Sequence, residues 1–356
     1  MVNNWAIIGT GVVSRKFVAG LRQMPGLGTV TVAASRRMEN AQAFAKALAI
    51  PTAVDDYRAA VSRTDVDLVY IATPPSEHEA HALIAIAAGK AVLIEKPFAL
   101  DGTAARRIAE AARAAGVFCM EAMWTRFLPL MAEVRSLIAS GALGELRALQ
   151  GSFMISNAPD PAASLFDPAR GGGALMHRGV YPLSLARLFL GPVENVTAHG
   201  RLGSTGVDED CTLVLGHAGG AISTLTASLR APGPNDLTIA GTKGRIAIEA
   251  PIYRPFRARL TPVTPRRNAG SGGRLEALKE GVAAQRLLQM MPGGLRGMLS
   301  RGGRTIRRPY HGNGYGHEAA EVIRCLSAGL TESPLMPLQD SIEIMDVIDA
   351  ARAAFR

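Results

Sequence analysis

Two glycines and a serine near the start of the chain, Gly9-Thr10-Gly11-x-x-Ser14, have the spacing that wraps backbone around a pyrophosphate. They follow the short apolar run Trp5-Ala6-Ile7-Ile8 and open an amphipathic stretch that reaches about Arg22. In that setting the first glycine permits a tight turn and the second lets the backbone approach the phosphates. The free N–H groups of the helix N-terminus then meet the negative charge. Ser14 stands where a third glycine would, and is small enough for helix–strand packing. The second strand runs into Ser35-Arg36-Arg37, where an acid would bind a ribose 2′-hydroxyl. A hydroxyl and two guanidiniums suit a 2′-phosphate instead, so NADP is expected in preference to NAD. The plainer alternative is that Arg36 and Arg37 are solvated loop charges.

Two later strand ends carry further chemistry. Thr73-Pro74 closes a third strand at its carboxyl edge, where open α/β sheets bind ligands. Glu95-Lys96-Pro97 closes the next, with Lys96 directed into the cleft where a nicotinamide ring would lie and Glu95 as its counter-charge. His78 and His81 share one helix face after Thr73; His78 is a candidate for the nicotinamide end, with helix packing as the alternative for both. Trp124 and Arg126 fall at a domain junction, and Arg126 is a candidate for a cofactor phosphate, a salt bridge being equally open. Glu318, just after His317 and a glycine, suits the positive end of a helix. No metal site is expected, because no three or four ligands converge in spacing.

These groups need a scaffold, and the apolar rhythm supplies one. Strands near 5–9, Thr29–Ala34, Asp67–Ala72, Ala91–Ile94 and Val117–Met120 alternate with helices near 39–48, 77–88 and 102–115. That alternation means an α/β fold with a Rossmann-type, doubly wound parallel sheet over residues 1–122. From 123 to 356 the runs lengthen and alternate apolar with polar, as in Ile222-Ser223-Thr224-Leu225. A C-terminal α+β domain with a large, mostly antiparallel sheet is therefore expected, closed by a helix from about Leu338 to Phe355.

Composition bounds the rest. At 356 residues with 48% apolar content, two cores are expected and global disorder is not. Cys119, Cys211 and Cys325 show neither disulfide nor zinc spacing, so a reducing compartment and buried packing roles are expected. With no signal-like or membrane-length apolar run, the cytoplasm is the plain reading. The net charge of +9 is local. Residues 252–308 hold thirteen Lys or Arg against Glu276 and Glu280, with glycine clusters that mark a basic insertion. Such a stretch can bind nucleic acid or anionic lipid. Its lack of interleaved aromatics and of any recognised motif favours a solvated loop, so neither nucleic acid nor membrane is expected as a partner.

With Glu95-Lys96-Pro97 after a Rossmann half, the chain resembles the Gfo/Idh/MocA oxidoreductases. It is most similar to the branch of trans-1,2-dihydrobenzene-1,2-diol dehydrogenase and glucose–fructose oxidoreductase. Glu121-Ala122-Met123-Trp124-Thr125-Arg126-Phe127, Gly171-Gly172-Gly173-Ala174-Leu175, Gly179-Val180-Tyr181-Pro182 and the stretch from Glu332 to Leu338 carry the likeness. The resemblance implies hydride transfer between NAD(P) and a carbinol or carbonyl carbon of a sugar, polyol or diol. It also implies a homodimer or homotetramer formed through the second sheet's open face, with Lys96 and Tyr181 as the catalytic pair. An ammonium beside the phenol is expected to lower its pKa. One departure stands out: His177 occupies the position of a family aspartate, and Arg178 that of an apolar residue. His177, its pKa depressed by the neighbouring cation, is then a neutral base or substrate ligand, or else marks a weakened site. Two rival functions remain: a cofactor-binding sensor, and a glycoside-processing enzyme that oxidises its substrate transiently.

Overall fold

The computed structural model describes residues 3–263 and 303–355, together with residues 282, 286 and 290. The first layer is a six-stranded sheet whose strands are β1 (Asn4–Ile8), β2 (Thr29–Ala34), β3 (Thr52–Val54), β4 (Leu68–Ile71), β5 (Ala91–Glu95) and β6 (Cys119–Ala122). Every pairing is parallel, in the order β3-β2-β1-β4-β5-β6. This is the dinucleotide-binding strand order, which reverses between β1 and β4 and opens a crevice at their carboxyl ends. Helices α1 (Val12–Gln23), α2 (Met38–Ala47), α3 (Tyr57–Val61), α4 (Pro75–Ala87) and α5 (Gly102–Ala115) make the crossovers. The central strands read as unbroken apolar runs because helices cover both faces: all four residues of β4 and all five of β5 are buried. The alternation of β1, β2, β4 and β5 with helices was legible in sequence; the short pair β3 and α3 was not.

The second sheet has eight strands in the order β14-β13-β12-β11-β7-β10-β9-β8. These are β7 (Leu146–Met154), β8 (Val193–Leu202), β9 (Asp208–His217), β10 (Ile222–Ser228), β11 (Leu237–Gly241), β12 (Gly244–Ile248), β13 (Arg257–Pro262) and β14 (Arg304–Arg307). Only β7 and β10 pair in parallel. The run expected as one strand over Asp236–Ala250 is a hairpin, turning at Thr242-Lys243 between β11 and β12. One face of the sheet is covered by α7 (Val180–Leu190); the other leaves Val214 and Ile222 exposed.

The basic segment expected over 252–308 is not wholly an insertion. Ile252 is buried, and β13 and β14 are paired strands of the sheet. Residues 264–302, apart from 282, 286 and 290, fall outside the described residues. The remaining helices are α6 (Pro129–Ala139), α8 (Gly316–Ser327) and α9 (Leu338–Ala353). Helix α9 packs on α5 and β6 of the first domain and on α7 and β8 of the second. None of the helices described is long and apolar enough to cross a membrane.

Candidate active site

A cleft of about 470 Å³ opens at the carboxyl ends of β1, β2, β4 and β5 and runs from the glycine turn to Lys96 and His177. Gly9 holds φ +98°, and a Cβ there would sit 2.6 Å from the Ala72 carbonyl oxygen, so only glycine fits this turn. A Cβ on Gly11 would meet nothing within 4 Å; there the backbone faces open space. Gly11 caps α1, whose first turn carries no acid to compete with a phosphate. Ser14 does not face this space: its hydroxyl donates to the Gly9 carbonyl at 2.7 Å and pins the turn. It braces the nucleotide site without touching it.

The far end of the crevice holds Ser35, Arg36 and Arg37, all lining the cleft, with Ser35 Oγ 3.3 Å from Thr10 Oγ1. Asn40 and Tyr57 line it as well, and sequence reasoning missed both. Tyr57 belongs to the short helix that escaped notice. Among the described residues Glu95 is the only acid lining the cleft, and it lies at the opposite end from Arg36. A glycine cradle, an acid-free helix N-terminus and paired guanidiniums fit a dinucleotide.

Two expected cofactor residues point elsewhere. Arg126 is fully buried, donating to Asp340 Oδ2 at 2.6 Å, to Ser184 Oγ at 2.8 Å and to two backbone carbonyls. It ties the start of the second domain to α7 and α9 and does not line the cleft. His78 is buried with Nδ1 3.0 Å from the Pro97 carbonyl and Nε2 2.8 Å from the Thr73 carbonyl. It braces the two strand-end turns from behind, while Thr73 and Pro74 themselves line the cleft.

At the end of the cleft away from Arg36, Lys96 comes from the first domain and Tyr181 from the second. Lys96 Nζ lies 4.9 Å from the Tyr181 ring centroid, over its face, and donates to the His177 carbonyl at 3.4 Å. Burial pushes Lys96 down to about 8, against the pull of Glu95. The expected lowering of the tyrosine does not occur. Burial drives the Tyr181 phenol well up, and Lys96, which lies over the ring and not at the oxygen, does not offset it. The oxygen instead accepts from Trp124 Nε1 at 3.3 Å. Trp124 stacks on Tyr315, and Phe153 stacks on Tyr253, giving an aromatic floor under the site. Tyr253 was hidden in the segment expected to be an insertion.

His177 and Arg178 sit in a π-helical turn, Leu175–Gly179, that runs directly into α7 and Tyr181. Asp208 holds this turn by accepting from the Leu175 N–H at 2.7 Å. Burial, then Lys96 and Arg178, push His177 down to about 3, so its imidazole is neutral. The Gly171 carbonyl faces the ring and can only accept, while Nε2 is buried without a protein partner.

Behind Lys96, Glu95 accepts from the Tyr70 hydroxyl and from the Lys96 N–H, and burial raises its carboxyl. Glu318 corrects another expectation. It lies in the first turn of α8 but is fully buried, with neither oxygen partnered, and burial beside Glu95 raises it strongly. It is a buried carboxyl whose charged form is disfavoured, not a solvated helix-end charge. No group of three or more His, Cys, Asp or Glu among the described residues is placed to hold a metal.

Known proteins share this arrangement. The family described as the oxidoreductase family with NAD-binding Rossmann fold matches residues 3–123, and the GFO/IDH/MocA C-terminal domain matches residues 131–247. The chain belongs to the GFO/IDH/MocA oxidoreductases. Like other members, it is an NAD(P)-binding dehydrogenase or reductase. The trans-1,2-dihydrobenzene-1,2-diol dehydrogenase of Bos taurus is 32% identical to this GFO/IDH/MocA chain, covering 99% of it and 97% of the bovine protein. The Homo sapiens protein of the same name is 30% identical over the same shares. Among solved structures, the 3-ketoreductase KijD10 of Actinomadura kijaniata, in complex with NADP and TDP-benzene, superposes with a TM-score of 0.79. It is 26% identical, with 100% of this chain and 98% of that one covered.

Proposed function

We propose that this protein is an NADP-preferring dehydrogenase or reductase that moves a hydride between nicotinamide and a carbinol or carbonyl carbon of a sugar, polyol or diol. The observation that carries the reading is the meeting of Lys96 and Tyr181, from different domains, at the end of the nucleotide cleft. The diol dehydrogenases and the NADP-bound 3-ketoreductase that it resembles support the substrate class. Ser35, Arg36 and Arg37 support the choice of NADP, since paired guanidiniums match a 2′-phosphate.

Bound in the cleft, the dinucleotide supplies or accepts the hydride. In the reductive direction Tyr181, protonated because burial holds its phenol up, gives its proton to the substrate oxygen as that oxygen gains charge. The indole N–H of Trp124 fixes the phenol's orientation. The Lys96 ammonium, lying against the ring, stabilises the phenolate left behind. His177, neutral and lining the cleft, is placed to hydrogen-bond a neighbouring substrate hydroxyl. The protein works in the cytoplasm as a homodimer or homotetramer, and the uncovered face bearing Val214 and Ile222 suits the subunit contact.

The test is turnover with NADPH on a panel of sugars, ketoses and aromatic diols, followed by Tyr181→Phe. Loss of about 10²–10⁴ in turnover with unchanged NADPH affinity is expected. Near-normal turnover in Tyr181→Phe would end this mechanism.

A further inference from the structure

Beside the Lys96–Tyr181 pair stands a guanidinium with no counter-ion. Arg178 is half-buried, and among the described residues no carboxylate lies within ion-pair distance of it. The Arg178 Nε is buried without a partner, and the side chain's one hydrogen bond, to Asn157 Oδ1, is long at 3.4 Å. The titratable groups around it are Lys96, His177 and the phenols of Tyr181 and Tyr253, and none is a carboxylate. Its Cζ lies 4.8 Å from the Phe153 ring centroid, and Phe153 meets Tyr181 edge-on at 5.4 Å. Arg178 and Lys96 therefore flank one aromatic pair, Lys96 against Tyr181 and Arg178 against Phe153. A second exposed guanidinium, Arg254, sits 5.4 Å over Tyr253, which stacks on Phe153 at 5.2 Å. Two acids answer Lys96 from behind, Glu95 and Glu121. Neither is among the groups facing Arg178.

A partly desolvated cation left unpaired is costly, and the protein supplies no anion for it. A guanidinium whose one hydrogen bond among the described residues is long can take an oxyanion through its terminal nitrogens. We propose that the substrate carries an oxyanion, bound by Arg178, at the distance from its reacting carbon that separates Arg178 from the Lys96–Tyr181 pair. This rests on the oxidoreductase reading and narrows it from neutral sugars and diols to acidic ones. The oxyanion is a carboxylate, as in sugar acids, or a phosphate ester, as in sugar phosphates.

The test is binding to the NADP-loaded protein, with matched probes that differ in charge: D-gluconate against D-glucitol, and D-glucose 6-phosphate against D-glucose. At least one charged probe is expected to bind tenfold or more tightly than its neutral partner. A preference confined to gluconate assigns a carboxylate, and one confined to the phosphate assigns a phosphate ester. Arg178→Leu should bring the ratio to within threefold of one, and Arg178→Lys should keep part of it. Arg254→Ala, at an exposed position that does not threaten folding, should lower the same ratio, and NADPH titration confirms that each variant is folded. Charged and neutral probes of equal affinity, including none detectable for either, would overturn the proposal, as would a preference that survives Arg178→Leu. A charge preference without hydride transfer to any substrate would sink the oxidoreductase reading and leave this one standing. Turnover of a neutral polyol at least as efficient as that of its acid would do the reverse.

Discussion

Replacing Lys96 with Met should make the cofactor-free protein more stable while crippling it as an enzyme. Lys96 is half-buried, and desolvation lowers its pKa from 10.5 to about 8. At roughly 1.4 kcal/mol per pH unit, holding the charged form costs the folded state about 3 kcal/mol below pH 8. The sign follows from proton counts. Between about 8 and 10.5 the unfolded chain binds the extra proton, so the stability of the wild type rises with pH across that window and the cost is gone above it. Methionine fills similar volume without the charge. It forfeits the contact with the Tyr181 ring and the long bond to the His177 carbonyl, together worth about 1–2 kcal/mol. A net gain of about 1–2 kcal/mol at pH 7 is expected. The assay is urea unfolding of both proteins, without cofactor, from pH 6 to pH 10. The difference between them should be greatest below pH 8 and shrink above it. A variant less stable than the wild type at pH 7, or a gap that ignores pH, would refute the premise that this lysine is held against its solvation.

Arg36→Ala should erase most of an expected tenfold preference for NADPH over NADH, about 1.4 kcal/mol, as read by fluorescence titration of both cofactors. His177→Asp sets a carboxylate beside the lysine in place of a neutral ring. The alkaline limb of the pH–rate profile, expected near 8 in the wild type with reduction failing as pH rises through it, should move up by about one unit or more. Arg126→Met leaves Asp340 buried with only Arg187, at 3.0 Å, and should cost about 3 kcal/mol in urea unfolding with no change in cofactor specificity.

The parallel sheet was readable because its central strands are buried on both faces and so appear as continuous apolar runs, as in β4 and β5. The nucleotide turn was readable because its geometry is local: Gly9, Gly11 and Ser14 act within one turn of chain. The failures share a different cause. Arg126 meets Asp340 across 214 residues, and no local pattern separates such a clamp from a phosphate ligand. Glu318 looked like a helix-end charge until α8 was seen to turn it inward beside Glu95. The tyrosine's raised pKa comes from its burial between the domains, and spacing carries no information about that. Tyr253 was obscured because arginines surround it in sequence, although its ring faces other aromatics.

Helix α9 comes after every element it fastens. Its Asp340 takes Arg126, its Ser341 donates to Glu121, its Asp346 pairs with Arg106 and its Asp349 accepts from the Gly102 N–H. On a ribosome the Rossmann half emerges first and can form its own sheet early. The angle between the halves, and with it the approach of Lys96 to Tyr181, waits for α9 to emerge. A chain stalled before this helix would hold both Lys96 and Tyr181 without the element that brings their domains together. Premature termination, unlike most single substitutions, would therefore yield a nucleotide binder with nothing to reduce.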